Sequence, residues 1–321
     1  MNGKPAPIRS VFFGTPDIAV ASLNALHEVS DVVGVVTQPD RPSGRGLEVT
    51  PSAVKRRALE LGFNLTQPAK VRTGELRSWL EALHADVFVV LAYGRILPPD
   101  ILAVPRAGAL NLHASLLPKY RGAAPIQWCI VRGERETGIS LMQMDEGLDT
   151  GAVLSRHVIP IGDEETAGEL AERLGALAAE VVRADVPRAV RGELLAEAQE
   201  HAAATHAPPL SRDDGRVSFE KPAREIANLV RGLFPKPGAF TTVGEKTLRL
   251  LKVRAVDTPL DAPAGSVVVQ AGVPWVATAD GSLEIINAKL EGKRESSGRD
   301  LVNGRVLAAG SRLGVAAAAA K

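Results

Sequence analysis

"IRSVFFGTPDIAVASLNALHEVSDVVGVVT", residues 8–37, decides the fold. Ile8 to Phe13 is an apolar run of strand length. Gly14 breaks it. Thr15 then stands where a helix N-cap is wanted, with Pro16 at the first helical position and Asp17 in the first turn. A helical stretch follows to Val29, and "DVVGVVT" (31–37) is a second apolar strand. Strand, helix, strand is the repeating unit of a parallel sheet, because parallel neighbours need a crossover between them.

The same alternation continues outward. "SAVKRRALELG" (52–62) predicts a helix capped by Ser52 and stopped by Gly62. "ADVFVVLAYG" (85–94), "GALNL" (108–112) and "GISLMQM" (138–144) predict further strands, and "AVLSRHVIPI" (152–161) an antiparallel edge strand. "TAGELAERLGALAAEVVRADV" (166–186) predicts a long amphipathic helix capped by Thr166. The expected class is α/β, an open, mostly parallel Rossmann-like sheet with helices on both faces. Ligands of such sheets bind beyond the carboxyl ends of the strands.

Composition then shifts. "EAQEHAAATHAPPLSRDDG" (197–215) has little periodicity, and a linker is expected at 197–210. Beyond it, "PAREIANLVRGL" (222–233) reads as a helix. The remainder alternates short strands with turns, the pattern of a small β-barrel. A chain of 321 residues accommodates two domains, 1–196 and 211–321.

Hydrophobic content of 45% and charged content of 23% are those of a globular protein, while aromatics at 4% argue against a stacking platform for single strands. Cys129 is the sole cysteine, which excludes an internal disulfide and a cysteine-based zinc site. The N-terminal residues lack a signal-peptide core and no apolar run reaches spanning length, so a cytoplasmic location is expected. Residues 209–321 hold 17 Lys and Arg against 12 Asp and Glu, whereas residues 1–208 hold 21 against 25. The asymmetry fits a polyanion-facing C-terminal part and equally fits chance.

"GTPDIA" after the first strand is not G-x-G-x-x-G, no P-loop is present, and no H-E-x-x-H occurs. The sheet of a nucleotide fold therefore comes without its phosphate cradle. The polar residues at strand tips are the remaining candidates. Asn111 and His113 stand two apart, so an extended backbone turns both to one side. An amide and an imidazole converging there would stabilise an oxyanion. By spacing alone, a satisfied core histidine and a turn-capping asparagine account for the pair as well. "MDEGLDTG" (144–151) supplies Asp145, Glu146 and Asp149, any of which could orient an imidazole or belong to an ordinary turn. Arg41 and Arg45 on "PDRPSGRG" (39–46), followed by Lys55, Arg56 and Arg57, suit phosphates or a solvated loop.

Taken together, "VFFGTPDIA", "VVTQPDRPSGRG", "VLAYGRILP", "LNLHASLLPKYRGAAPIQW" and "ETGISLMQMDEGLDTGAVL" occur in an order that closely resembles the methionyl-tRNA formyltransferase family, from about residue 8 to about residue 310. "HASLLPKYRG" with "GLDTG" is shared with all folate-dependent formyltransferases; "TQPDRPSGRG" points to the tRNA branch. "GLFPKPGAFTT" and "LVNGRVL" look like that branch's second domain, an oligonucleotide-binding (OB) type barrel.

The resemblance implies 10-formyltetrahydrofolate as co-substrate, initiator methionyl-tRNA as acceptor, no metal, and a monomer. It implies Asn111, His113 and Asp149 as catalytic residues. For the folate it implies Ser115, Leu116, Leu117 and Pro118, with Leu91, Tyr93 and Ile96 along the cleft. For the tRNA it implies Arg45; Arg41, Lys55 and Arg56 on the same loop and the next helix, and Lys236 as a charge beside the expected tRNA face, complete the tRNA-binding candidates. Two departures stand out. Leu47-Glu48 occupies the place of two lysines after "GRG", and Lys236 that of a tryptophan. The rivals are a sugar-amine or glycinamide formyltransferase with the same three residues, and a binding module without catalysis.

Overall fold

The computed structural model describes residues 7–43 and 48–314. The chain divides into two compact units. The first holds the chain through Pro125 together with Glu136–Pro160 and Ala171–Pro208; the second holds Ile126–Arg135, Ile161–Leu170 and the chain from Pro209 onward.

The first unit is built on seven strands: β1 (Arg9–Gly14), β2 (Asp31–Val36), β3 (Leu65–Thr66), β4 (Val87–Leu91), β5 (Ala109–His113), β6 (Glu136–Gln143) and β7 (Val153–Pro160). Their spatial order is β7-β6-β5-β4-β1-β2-β3. The five strands from β3 to β5 run parallel, as the alternating pattern predicts. β6 and β7 are antiparallel additions, and β7 forms the expected edge. A core of Val11, Phe13, Val36, Phe88, Val90 and Tyr93 packs against Leu76 and Leu80 of the helix Gly74–Ala82.

Helix caps follow the sequence in two places and not in a third. The Ser52 hydroxyl accepts from the Lys55 backbone N–H at 3.1 Å. Thr166 and Glu169 cap each other, Glu169 N–H to Thr166 Oγ1 at 3.3 Å and Thr166 N–H to Glu169 Oε2 at 2.9 Å. Thr15 makes no cap. A 3₁₀ turn (Asp17–Ala19) precedes the helix Val20–Val29, and the Thr15 hydroxyl donates instead to the Tyr93 carbonyl at 3.3 Å. The tertiary partner wins over the local one.

Most of the expected linker is bound into the first unit. Glu197 pairs with Val153, and His206–Ala207 pairs in parallel with Arg121–Gly122. The boundary of the compact units falls at Pro208–Pro209. The segment shows little periodicity because backbone pairing holds it, which leaves no apolar rhythm.

In the second unit, β8 (Ala239–Val243), β9 (Lys246–Val256), β10 (Val267–Gln270), β11 (Val273–Ala277) and β12 (Ser282–Leu290) form an antiparallel sheet in the order β8-β9-β12-β11-β10, with Glu295–Ser297 added on β12. Bridges from Leu313 to Val243 and from Arg312 to Ser266 tie its two edges together. The edges meet through one returning segment, which is the OB-like barrel expected here. Leu248, Leu250, Val276, Leu283 and Ile285 fill it, with Ile226 and Val230 from the helix Ala223–Gly232. Among the described residues, no helix is long and apolar enough to cross a membrane, and no group of three or more His, Cys, Asp or Glu is placed to hold a metal ion.

Candidate active site

Asn111 and His113 lie on β5, flanked by β4 on one side and β6 on the other; Asn111 pairs with Val90 and with Met142, and His113 with Ser140. Alternation along the strand puts Leu110 and Leu112 on one face and the two polar side chains on the other. Both polar side chains are buried, so each needs a partner.

His113 Nε2 lies 2.8 Å from the Tyr120 carbonyl oxygen. A carbonyl only accepts, so Nε2 carries the hydrogen and donates it. In the neutral ring, Nδ1 is then the basic nitrogen. Nδ1 faces Asp149 Oδ2 at 3.7 Å, too long for a hydrogen bond and close enough for strong charge interaction. Asn111 Nδ2 donates to Asp149 Oδ1 at 3.5 Å, a loose bond that leaves the amide available.

Asp149 arrives by an indirect route. Because β6 runs antiparallel to β5, the 144–151 loop leaves the sheet at the level of Leu110, not beyond the end of β5. The loop is the hairpin between β6 and β7, closed by a Gln143 N–H bond to the Ala152 carbonyl at 2.9 Å. It folds back over the polar face, with Asp149 at φ 55°. Gly151 permits the return, since a Cβ there would sit 1.8 Å from the Gln143 carbonyl oxygen. The Gly122 backbone N–H donates to Asp149 Oδ2 at 2.8 Å and fixes the carboxylate. Asp145 is used differently: its Oδ1 accepts from Gly147 N–H at 3.0 Å and from the Thr150 hydroxyl at 2.7 Å. Glu146 is exposed. Of the three acids, only Asp149 meets Asn111 and His113.

The 115–118 loop is itself tightly held. The Ser115 hydroxyl donates to the Lys119 carbonyl at 2.6 Å, and Ser140 Oγ donates to the Ser115 carbonyl at 2.7 Å while accepting from Leu117 N–H at 3.0 Å. Ser115 and Leu117 are buried, whereas Leu116 and Pro118 are half-buried. Leu91 and Tyr93 are buried at the end of β4, and Ile96 beyond them is 64% exposed. The Tyr93 ring packs edge-on against Phe13 with centroids 5.5 Å apart, inside the core; burial raises its phenol pKa. The Tyr93 ring is thus part of the core, and its carbonyl accepts from the Thr15 hydroxyl and the Gln38 amide.

The basic candidates separate. Lys55 Nζ donates to Asp40 Oδ2 and to Gln67 Oε1, the latter at 2.7 Å, and Gln67 Nε2 donates to Asp40 Oδ1 at 2.8 Å. The hydrogen bonds from Lys55 and Gln67 hold the Asp40 carboxyl below its ordinary value. Lys55 thus ties down the loop after β2. Arg56 is half-exposed, with Nη1 donating to the Pro51 carbonyl at 2.8 Å. Arg41 is exposed and donates from Nη2 to Gln38 Oε1 at 3.0 Å. Arg45 and Leu47 lie outside the described residues. Lys236 is exposed in the second unit. The sequence gives no sign of the Tyr120 carbonyl and the Gly122 amide, because backbone groups act wherever the chain brings them.

A formyl transferase family model matches residues 8–185, and the formyl transferase C-terminal domain model matches 209–306. Methionyl-tRNA formyltransferase of Sorangium cellulosum is 54% identical over 311 residues, covering 96% of this chain and 100% of the relative. The chain belongs to the methionyl-tRNA formyltransferase family.

A second member, from Geobacter metallireducens, is 45% identical over 96% of this chain and 99% of its own length. Among solved structures, an N-formyltransferase from Helicobacter canadensis, in complex with folinic acid and dTDP-3-aminofucose, superposes with a TM-score of 0.67. It is 18% identical and covers 87% of this chain and 98% of its own, so it speaks for the fold alone.

Proposed function

We propose that this chain transfers the formyl group of 10-formyltetrahydrofolate to the α-amino group of methionine on initiator tRNA, giving N-formylmethionyl-tRNA for translation initiation. The observation that carries the site assignment is the convergence of Asn111 Nδ2, His113 Nδ1 and the Asp149 carboxylate on one buried face, with separations of 3.5 and 3.7 Å. Family membership over both matched segments supports the acceptor.

The steps follow from the donors. The neutral amine attacks the formyl carbon, so activity falls as the amine protonates below its ordinary range near pH 7.7–8.0. The Asn111 amide donates to the oxyanion as it forms. The His113 Nδ1 lone pair accepts the proton lost by the amine, directly or through one water. Asp149 then faces an imidazolium and stabilises it. Collapse reforms the carbonyl and breaks the bond to the folate nitrogen, which takes the proton back. Ile96 and Leu148 are exposed apolar side chains on the loops after β4 and β6, and they suit the flat apolar faces of a pterin. Every proposed catalytic group comes from one compact unit of one chain, so the reading needs no second copy to complete the site; it places the enzyme in the cytoplasm, where translation initiates.

The test is formyl transfer to methionyl initiator tRNA, with methionyl elongator tRNA, free methionine and a nucleotide-linked amino sugar as competing acceptors. Transfer confined to the initiator supports the proposal. Transfer to the amino sugar with none to tRNA overturns the acceptor and leaves the chemistry standing.

A further inference from the structure

Asp149 is held at its carboxylate by Gly122, but its backbone is left-handed at φ 55°, a conformation disfavoured for a residue with a Cβ that persists only where surrounding contacts hold it. The group that holds it is Gln199. Its Nε2 donates to the Asp149 carbonyl at 2.9 Å and to the Gly151 carbonyl at 2.7 Å. One side-chain amide thereby clamps both sides of the Thr150 turn. Gln199 Oε1 accepts in turn from Arg121 Nε at 3.0 Å and Nη2 at 2.7 Å. That fork fixes which end of the amide faces the loop, because a guanidinium only donates. Both side chains are buried, Gln199 at 6% exposure and Arg121 at 5%, where such bonds are strong and their loss is costly. Arg121 also ties the arrangement to the opposite wall: its neighbours Tyr120 and Gly122 supply the carbonyl on His113 and the N–H on Asp149.

We infer that Gln199 is a positioning residue for the formyl transfer, holding Asp149 against His113 through the 149–151 backbone, with Arg121 orienting it. Gln199 lies in the aperiodic stretch after the long helix, 50 residues beyond Asp149. The inference rests on the proposed role of Asp149.

Two substitutions and one cycle test it. Gln199→Met keeps the length of the side chain and removes every bond. Gln199→Glu keeps an acceptor for Arg121 but has no N–H for the loop, and sets a carboxylate against two carbonyl oxygens. The kcat for formyl transfer and both KM values are measured for each, alone and in an Asp149→Asn background, with Tm as the control for folding. Misplacing a catalytic group by a fraction of a side-chain length costs about 10–100-fold in rate. Both variants should lose kcat in that range, with KM for 10-formyltetrahydrofolate and for methionyl-tRNA within twofold of wild type. In the Asp149→Asn background the same changes should lower the residual kcat less than twofold, because nothing remains to be positioned.

A merely structural Gln199 gives a different pattern. Gln199→Glu, with its Arg121 pairing retained, then restores wild-type kcat, or the loss persists at full size in the Asp149→Asn background; either result overturns the inference. Wild-type kcat in folded Gln199→Met, with Asp149→Asn impaired, overturns it while the role of Asp149 stands. Full activity of Asp149→Asn removes that role and the inference together.

Discussion

Replacing Asp149 with asparagine isolates one charge. The substitution keeps an oxygen for the Gly122 N–H, now 2.8 Å from Oδ2, so the loop geometry is retained. It removes the negative charge that faces His113 Nδ1 at 3.7 Å. In the proposed transfer the imidazole takes the proton from the amine, and that charge then stabilises the new cation. At an effective dielectric constant of about 20, two unit charges at this separation attract by roughly 4.5 kcal/mol. At about 1.4 kcal/mol per decade, the predicted loss in kcat is about 1,000-fold. Substrate binding precedes that proton transfer and does not draw on the new charge, so both KM values stay near wild type. The assay is single-turnover formylation of methionyl initiator tRNA with saturating 10-formyltetrahydrofolate, alongside a melting curve. A folded Asp149→Asn enzyme within tenfold of wild type would refute the charge argument. A large rise in KM with kcat preserved would place Asp149 in binding instead.

Other expectations follow from single contacts. Gly122→Ala puts a Cβ 2.6 Å from the Ala207 carbonyl oxygen at φ 121°, so it should destabilise by about 1–3 kcal/mol and lower kcat through Asp149; an unchanged urea midpoint refutes it. Tyr93→Phe deletes a buried hydroxyl that finds no partner among the described residues, so it should be neutral or raise stability by about 1 kcal/mol with activity intact; a tenfold rise in the KM for folate would instead show the hydroxyl at the ligand. Lys55→Ala should lower stability and leave the salt dependence of tRNA binding unchanged, whereas Arg45→Ala should reduce the slope of log K against log salt by about one if Arg45 meets a phosphate. The Asp40 carboxyl is lowered by Lys55 and Gln67, so its contribution is present above about pH 4 and lost as pH falls through the folded value. Wild type should therefore lose more Tm than Asp40→Asn between pH 5 and pH 3, and equal losses would show the pair to be inert.

Much of the molecule is written locally. The strand–helix–strand rhythm from Ile8 to Thr37 favours parallel neighbours, because parallel strands need a crossover between them, and β1 and β2 do pair in parallel. Ser52 and Thr166 cap their helices from sequence neighbours three residues on. The spacing of Asn111 and His113 puts them on one face, since alternation needs only an extended backbone. What the sequence left open was settled by groups far apart in the chain. The antiparallel course of β6 decides that Asp149 reaches His113 by folding back, and that Asp145 closes the turn. The Tyr120 carbonyl decides which nitrogen of His113 carries the hydrogen, leaving Nδ1 toward Asp149. Asp40 and Gln67 hold the Lys55 ammonium against the loop after β2, a contact that its position beside Arg56 in a basic run does not show. Residues 197–208 look like a tether and instead line the back of the site. Capping and alternation are interactions between near neighbours, whose geometry the backbone fixes in advance. A hydrogen bond between residues 50 apart leaves no periodic trace, so only the folded chain shows it.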